Sequence, residues 1–260
     1  MRKKFIFLFL FFYFINVIPA MSQDNRVRIP IPKIDINVDE ATKPQDIALS
    51  LQILFLLSIL TLAPSIIILM TAFLRIAIVF DFLKKALSLQ QMPPNQVIFG
   101  LSLFLTFFIM WPTFDKINNE AIQPFVNQNT PKEKRLTLDQ FWVKSVDPLR
   151  DFMFKQTDPK YIGFFMNLRG LPAPNDYNDV PTYVLIPAFV INEMTIGFRI
   201  GVLIFIPFII IDMVIASALM AMGMIMLPPV MISLPFKILL FVLLDGWQLL
   251  TYELYRSFAQ

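Results

Sequence analysis

Hydrophobic positions run almost unbroken through 47–74, 97–111, 183–227 and 230–244, and proline interrupts or closes each run. A helix needs about 20 apolar residues to cross a bilayer core of about 30 Å. The 47–74 run meets that length, and Pro64 in its middle predicts a kink. The 97–111 run, closed by Pro112, would reach only about 22 Å as a helix. It therefore reads as a re-entrant segment or as a helix packed in protein. The 183–227 run is about twice the length of one span, and Pro207 predicts a kinked helix or a pair of helices there. Pro228-Pro229 end that run. Pro235 lies near the start of the next, and Asp245-Gly246 reads as the turn after it. Residues 249–260 form an amphipathic tail.

Polar positions mark the rest of the chain. Arg75, Asp81, Lys84 and Lys85 read as a solvated or interfacial helix end. Asp81 and Lys85 have the favourable spacing for a helical ion pair, and the lysines obey the positive-inside tendency. The block 113–182 carries nine basic and nine acidic residues, which predicts a neutral soluble insert of three short helices. Thr137-Leu138-Asp139-Gln140 is a capping-box pattern. Asp147-Pro148 and Asp158-Pro159 each set an N-cap residue before a proline at the first helical position. At the other end, Arg2, Lys3 and Lys4 precede an apolar stretch, 5–18, that is too short to span. Pro19 and the small residues Ala20 and Ser22 come next. This pattern predicts a cleaved secretory signal over 1–22, with a retained anchor as the alternative. Residues 23–46, with Pro30, Pro32 and Pro44, read as an extended external arm. The fold class expected is all-α: kinked hydrophobic helices and helical hairpins in 47–112 and 183–260, with the soluble helical insert 113–182 between them.

Composition narrows the chemistry. Of the 260 residues 57% are hydrophobic and 16% charged, with 28 phenylalanines, against about 45–50% and about 25% in ordinary globular domains. A net charge of +3 is too small to point to nucleic acid. The sequence has no cysteine and no histidine, which removes disulfides, the usual zinc sites, thiol nucleophiles and histidine bases. No cofactor, metal or catalytic residue is expected. An aspartyl protease built on Asp212 and Asp245 lacks the Gly-x-Gly-Asp pattern around either residue.

Charges inside apolar runs need partners. Asp212 and Lys237 lie on consecutive runs joined by a proline turn, so a hairpin would bring them close as a buried ion pair. Such a pair acts either as a hinge or intersubunit contact or simply as a packing pair. Glu193 and Arg199 are six residues apart and cannot face each other on one helix, so each needs a partner elsewhere. Met220, Met222, Met224 and Met226 recur with a period of two. In an extended segment they share one side. They read either as a pliable ring around a path or as ordinary core filling.

The stretches MTAFLRIAIVFDFLKKAL and MPPNQVIFGLSLFLTFFIMWP, then GVLIFIPFIIIDMVIASALMAMGMIMLPP and SLPFKILLFVLLDGWQLL, resemble the FliP family of flagellar export-gate proteins and its virulence-secretion counterparts. The resemblance runs over about 47–258. It implies a channel subunit that catalyses nothing, assembled as a homo-oligomer, a pentamer, with FliQ, FliR and a FlhB-type gate protein. It also implies a place in the bacterial inner membrane and flagellar basal body, with the mature N-terminus and the insert on the periplasmic side. The cargo it implies is unfolded flagellar polypeptides. The family's methionine gasket falls on Met224, Ile225 and Met226, with Ile225 in place of the usual methionine and Met222 as a flanking contributor. The family's buried Asp and Lys fall on Asp212 and Lys237, and the helix break read at Pro228 and Pro229 follows the gasket in the sequence. The other class that suits intramembrane charges and proline-broken helices is a small-solute or ion transporter. The chain shows no internal repeat, and an insert of this size is unusual in that class.

Overall fold

The computed structural model describes residues 44–89, 93–126, 136–174, 176–224 and 226–259. The expected signal and nearly all of the expected arm lie outside these residues, as does Ile225. The chain divides into two units, Met1–Leu51 and Gln52–Gln260, and of the first only the opening turns of helix α1 are described. Among the described residues the regular structure is helical, without strands.

Helix α1, Pro44–Leu69, begins on a proline, which suits a first turn because the amide it lacks would have no intrahelical partner. The last residues of the expected arm, 44–46, therefore belong to this helix. It continues through Pro64. None of its Ser50–Leu69 stretch is buried. A helix apolar on every side must find its cover in lipid or in another protein surface.

Helix α2, Phe73–Ala86, lies along helix α7, Thr182–Ala221, in the most extensive helix pairing of the fold. Two glycines permit the close approach. A Cβ on Gly201 would stand 2.4 Å from Cγ of Phe82, and one on Gly197 would stand 3.1 Å from Ile78 Cγ2. The Phe82 ring is itself held edge-on to Phe198 and Phe205, at 5.2 and 6.5 Å between centroids. A Gly-x-x-x-Gly spacing is how apolar helices bring their backbones together. The sequence Gly197-Phe198-Arg199-Ile200-Gly201 does so here within one chain.

Helix α3, Asn95–Ile117, corrects the expectation of a short segment closed by Pro112. A proline inside a helix removes one donor and crowds the carbonyl four residues back, and here that local loss does not stop the helix. The chain passes into a π-turn, Asn118–Ile122, where the Gln123 amide bonds to the Asn118 carbonyl, and then into the one-turn α4, Gln123–Val126. Together they make a continuous 32-residue helical rod, Asn95–Val126, apolar in its first part and polar from Asp115 on. The helix thus runs on across the expected 112/113 boundary.

The insert holds α5, Leu138–Gln156, and α6, Pro159–Leu168, with a 3-10 turn after them at Tyr177–Asp179. The Thr137–Gln140 capping box is present, and Asp158 caps α6 ahead of Pro159. Asp147-Pro148, in contrast, starts no helix: α5 runs through it. Here too one missing amide bond costs less than ending an amphipathic helix whose other face is packed. Met153, Ile162 and Met166 of the insert form a core with Val184, Leu185 and Phe189 at the start of α7.

One helix, α7, occupies most of the 183–227 run, passing through Pro187 and Pro207 for 40 residues. It stops at Gly223. With φ of +74° that glycine lets the Gly223 amide bond to the Met220 carbonyl and the Met224 amide to the Leu219 carbonyl, each at 3.0 Å. This is the paired C-terminal closure that favours glycine. Helix α8, Pro229–Leu243, restarts on Pro229 and bends by 63° into α9, Gly246–Arg256. Leu250, Leu254 and Phe258 enter the main core with Ile76, Phe80 and Leu83 of α2, Leu105 and Met110 of α3, and Phe208 of α7.

Candidate functional site

Three features stand out along the α2–α7–α8 framework: two buried charge clusters and an apolar loop. The first cluster centres on Arg75, in the first turn of α2. Its Nε donates to Glu193 Oε2 at 2.8 Å and its Nη2 donates to Glu193 Oε1, a two-pronged pair across α2 and α7. Nη2 also donates to Gln156 Oε1 at 3.3 Å, and Nη1 donates to the carbonyl and hydroxyl oxygens of Ser257 at 2.7 and 3.0 Å. All five guanidinium N–H bonds thereby have acceptors. The ring of Phe258 lies 3.8 Å from the guanidinium carbon. Arg75 is 1% exposed and Glu193 fully buried. This corrects the expectation that Arg75 is a solvated helix end, and it supplies the partner that Glu193 required. Arg75 comes after an apolar run and precedes Ile76, Ala77 and Ile78, a context as apolar as that of Glu193, and that was the available sequence signal.

The second cluster centres on Lys237, which is buried on α8. Its Nζ donates to Asp212 Oδ2 at 2.7 Å, to Ser88 Oγ at 2.7 Å and to the Ala86 carbonyl at 3.2 Å. Ser233 Oγ donates to the other carboxylate oxygen of Asp212 at 2.5 Å. The hairpin of α7 and α8 does bring Asp212 and Lys237 together, with one difference from the expectation: the Asp212 side chain keeps 30% of its surface exposed. The pair is also more than a pair. Ala86 ends α2, so its carbonyl belongs to the group left without intrahelical donors. The ammonium supplies a donor and a positive charge at the negative end of the helix dipole. Ser88 sits just past that end at φ +57°, unusual for a residue with a side chain.

Arg199 is exposed on α7 and is not a buried charge. It borders a polar cleft with Lys155, Asp158 and Lys160, because α5 and α6 meet α7 there and give its side chain access to water. Asp158 holds its carboxyl below the ordinary carboxylate range, chiefly because the backbone and side chain of Lys160 donate to it.

The third feature is the loop between α7 and α8. Met222 and Met224 are exposed, and Met226 is 98% exposed. Gly223 closes α7 on one side, and Pro228-Pro229 open α8 on the other. The loop thus presents soft apolar side chains outward at the end of a hairpin whose base the Lys237 cluster fixes.

The sequence is similar to those of known proteins. The profile described as the FliP family matches residues 56–254. The flagellar biosynthetic protein FliP of Treponema denticola is 49% identical over 236 residues, covering 90% of this chain and 85% of that protein. Its counterpart in Borreliella burgdorferi is 52% identical over 216 residues, 82% of this chain and 83% of that one. The Bacillus subtilis protein is 49% identical over 223 residues, 86% of this chain and 98% of its own length. The region matched by the profile contains α2, α3, α7 and α8 together with both ion pairs and the methionine loop. This chain therefore belongs to the FliP family.

Proposed function

We propose that this FliP-family chain is a membrane-embedded structural subunit of the flagellar export apparatus, and that its copies, with FliQ and FliR, surround the path taken by unfolded flagellar polypeptides. A FlhB-type protein is the further gate partner in this reading. The 113–182 insert and the mature N-terminus face the periplasm, the side to which a cleaved export signal delivers the start of a chain.

The observation that carries the reading is the loop at Met222–Met226. An apolar loop held out from a rigid hairpin by a glycine stop and a double-proline start has no cover among the described residues of its own chain. Several copies meeting on an axis would supply that cover, and they would bring Met224, Ile225 and Met226 to its narrowest point. Apolar side chains at a constriction exclude water and ions by dewetting. Unbranched thioethers can still yield to a passing chain, whereas Ile225 is the stiffer element. The Lys237 cluster joins α7 and α8, the two arms of the hairpin that carries this loop.

Replacing Met224 and Met226 by alanine tests the reading. The double variant assembles and leaks small ions, read as conductance of cells or of reconstituted complexes. An assembled double variant as tight as the parent removes these residues from the constriction.

A further inference from the structure

Helix α9 divides lengthwise. One face, with Leu250, Leu254 and Phe258, is buried in the main core, where Trp247 also meets Phe80 and Phe241 at 6.3 and 5.4 Å between centroids. An adjoining stripe, Leu249, Glu253 and Arg256, lines a groove of ≈ 500 Å³ whose other walls include Leu203 and Pro207 of α7 and Leu240 of α8. The spacing i, i+4, i+7 puts these three on one side of the helix, apolar at its start and charged at its end. Gly246 seats the first turn of α9 on Phe241, since a Cβ there would stand 2.3 Å from the ring, and both residues line the groove. The corner end of the groove is therefore apolar.

The other end lies level with the polar insert. Two residues beyond Arg256, the Phe258 carbonyl accepts at 3.0 Å from Nε2 of Gln156, the last residue of α5. Along α7, Arg199 lines the polar cleft with Lys155 and Lys160, and the next residue, Ile200, lines the groove. The groove thus starts where the insert ends and follows the apolar length of α7, a helix long and apolar enough to cross a membrane.

We propose that this groove holds an acyl chain of a zwitterionic glycerophospholipid, with the lipid phosphate on Arg256 and the headgroup ammonium on Glu253. The inference rests on the membrane placement and is independent of the conduit. Size favours a lipid chain over a protein element. A cavity of about 150 Å³ takes one benzene ring, so ≈ 500 Å³ takes roughly three times that carbon, the content of one long acyl chain. A helix about 10–12 Å across would exhaust the same volume in about one turn. Left empty, the apolar lining would forfeit its dispersion contacts. The mouth supplies the charge match. Glu253 and Arg256 are exposed, and neither side chain has an ion-pair or hydrogen-bond partner among the described residues. A guanidinium suits a phosphate in geometry and charge, and a carboxylate one turn away suits the ammonium of the same headgroup.

Counting the phospholipid kept by the assembled complex tests the assignment. The complex is extracted in detergent and washed with mixed micelles of phosphatidylethanolamine and phosphatidylglycerol in equal amounts. Mass spectrometry then gives the lipid retained per copy of the chain. The expected result is a phosphatidylethanolamine on each copy, in preference to phosphatidylglycerol. Arg256→Gln lowers that retention about tenfold, the order of one lost charged hydrogen bond. Glu253→Gln keeps a lipid but loses the preference. Leu203→Trp fills the groove from an exposed position on α7 and abolishes retention in complexes of unchanged size. Equal retention by the parent and Leu203→Trp complexes, or a preference for phosphatidylglycerol, overturns the proposal. In cells, a photoreactive benzophenone side chain in place of Leu249 should capture phospholipid. Capture of a second copy or of another polypeptide overturns the proposal too, since a protein surface would then cover the groove. A complex that leaves membranes in alkaline carbonate without detergent contradicts the membrane placement. One that needs detergent yet holds no lipid contradicts the groove assignment alone.

Discussion

Lys237 uses each of its three N–H bonds on a different acceptor, and two of the three come from the end of α2. Removing its carboxylate partner with Asp212→Ala leaves a buried ammonium without counter-charge, a loss of about 3–5 kcal/mol by analogy with other broken buried pairs. Ser88 separates the parts of this cluster. Ser88→Gly and Ser88→Ala both delete the hydroxyl, but glycine also relieves a left-handed backbone that costs about 1 kcal/mol for a residue with a Cβ. The alanine variant should therefore lower the denaturation midpoint of the purified complex more than the glycine variant does. Equal midpoints would mean that the backbone at Ser88 is not strained in the assembly. The pairing of Asp212 with Lys237 was legible in the sequence, because two charges on consecutive apolar runs have few other places to go. The share of Ser88 and Ala86 was not, since nothing in local sequence reveals that a lysine 149 residues away caps a helix. Arg199 misleads for the opposite reason: an apolar neighbourhood along the chain does not tell which face of the helix meets a polar cleft.

Proline and glycine set the elements in unequal ways. Gly223 ends α7 and Pro228-Pro229 open α8 as their chemistry suggests, whereas Pro64, Pro112, Pro148 and Pro207 are carried inside helices. The difference lies in the local chemistry of each break. A single proline loses one bond, which flanking apolar packing offsets. A double proline or a positive-φ glycine changes the chain direction itself. Taking each proline as a stop therefore shortens α3 and divides α5, although the all-α class was legible from the apolar runs and from the capping patterns of the insert. At the α2–α7 contact, Gly201→Ala forces the Phe82 ring to move, and overpacking of this kind costs about 1–3 kcal/mol. Gly197→Ala asks only a small shift of Ile78, which the better helix propensity of alanine offsets. Thermal unfolding in detergent should rank Gly201→Ala well below Gly197→Ala, with Phe82→Leu partly restoring the former. Equal loss at both positions would contradict this picture of the contact.

At the scale of the molecule, the apolar surface exceeds what one chain can cover. Ser50–Leu69 is bare along its length, and only 11% of the most apolar window of α7 is buried. Such surfaces mark contact with lipid or with other subunits. Both charge clusters find their partners within the chain, whereas these apolar faces find no cover among its described residues. In the proposed assembly the Met224–Met226 loops of several copies meet on its axis. Because the sequence has no cysteine, a single Met226→Cys variant reports on this placement directly. Mild oxidation of the assembled complex should join neighbouring copies through that one position, giving disulfide-linked dimers that vanish on reduction. Complexes that assemble normally and remain monomeric after oxidation, with Cys accessible to a small thiol reagent, would contradict a shared constriction at this loop.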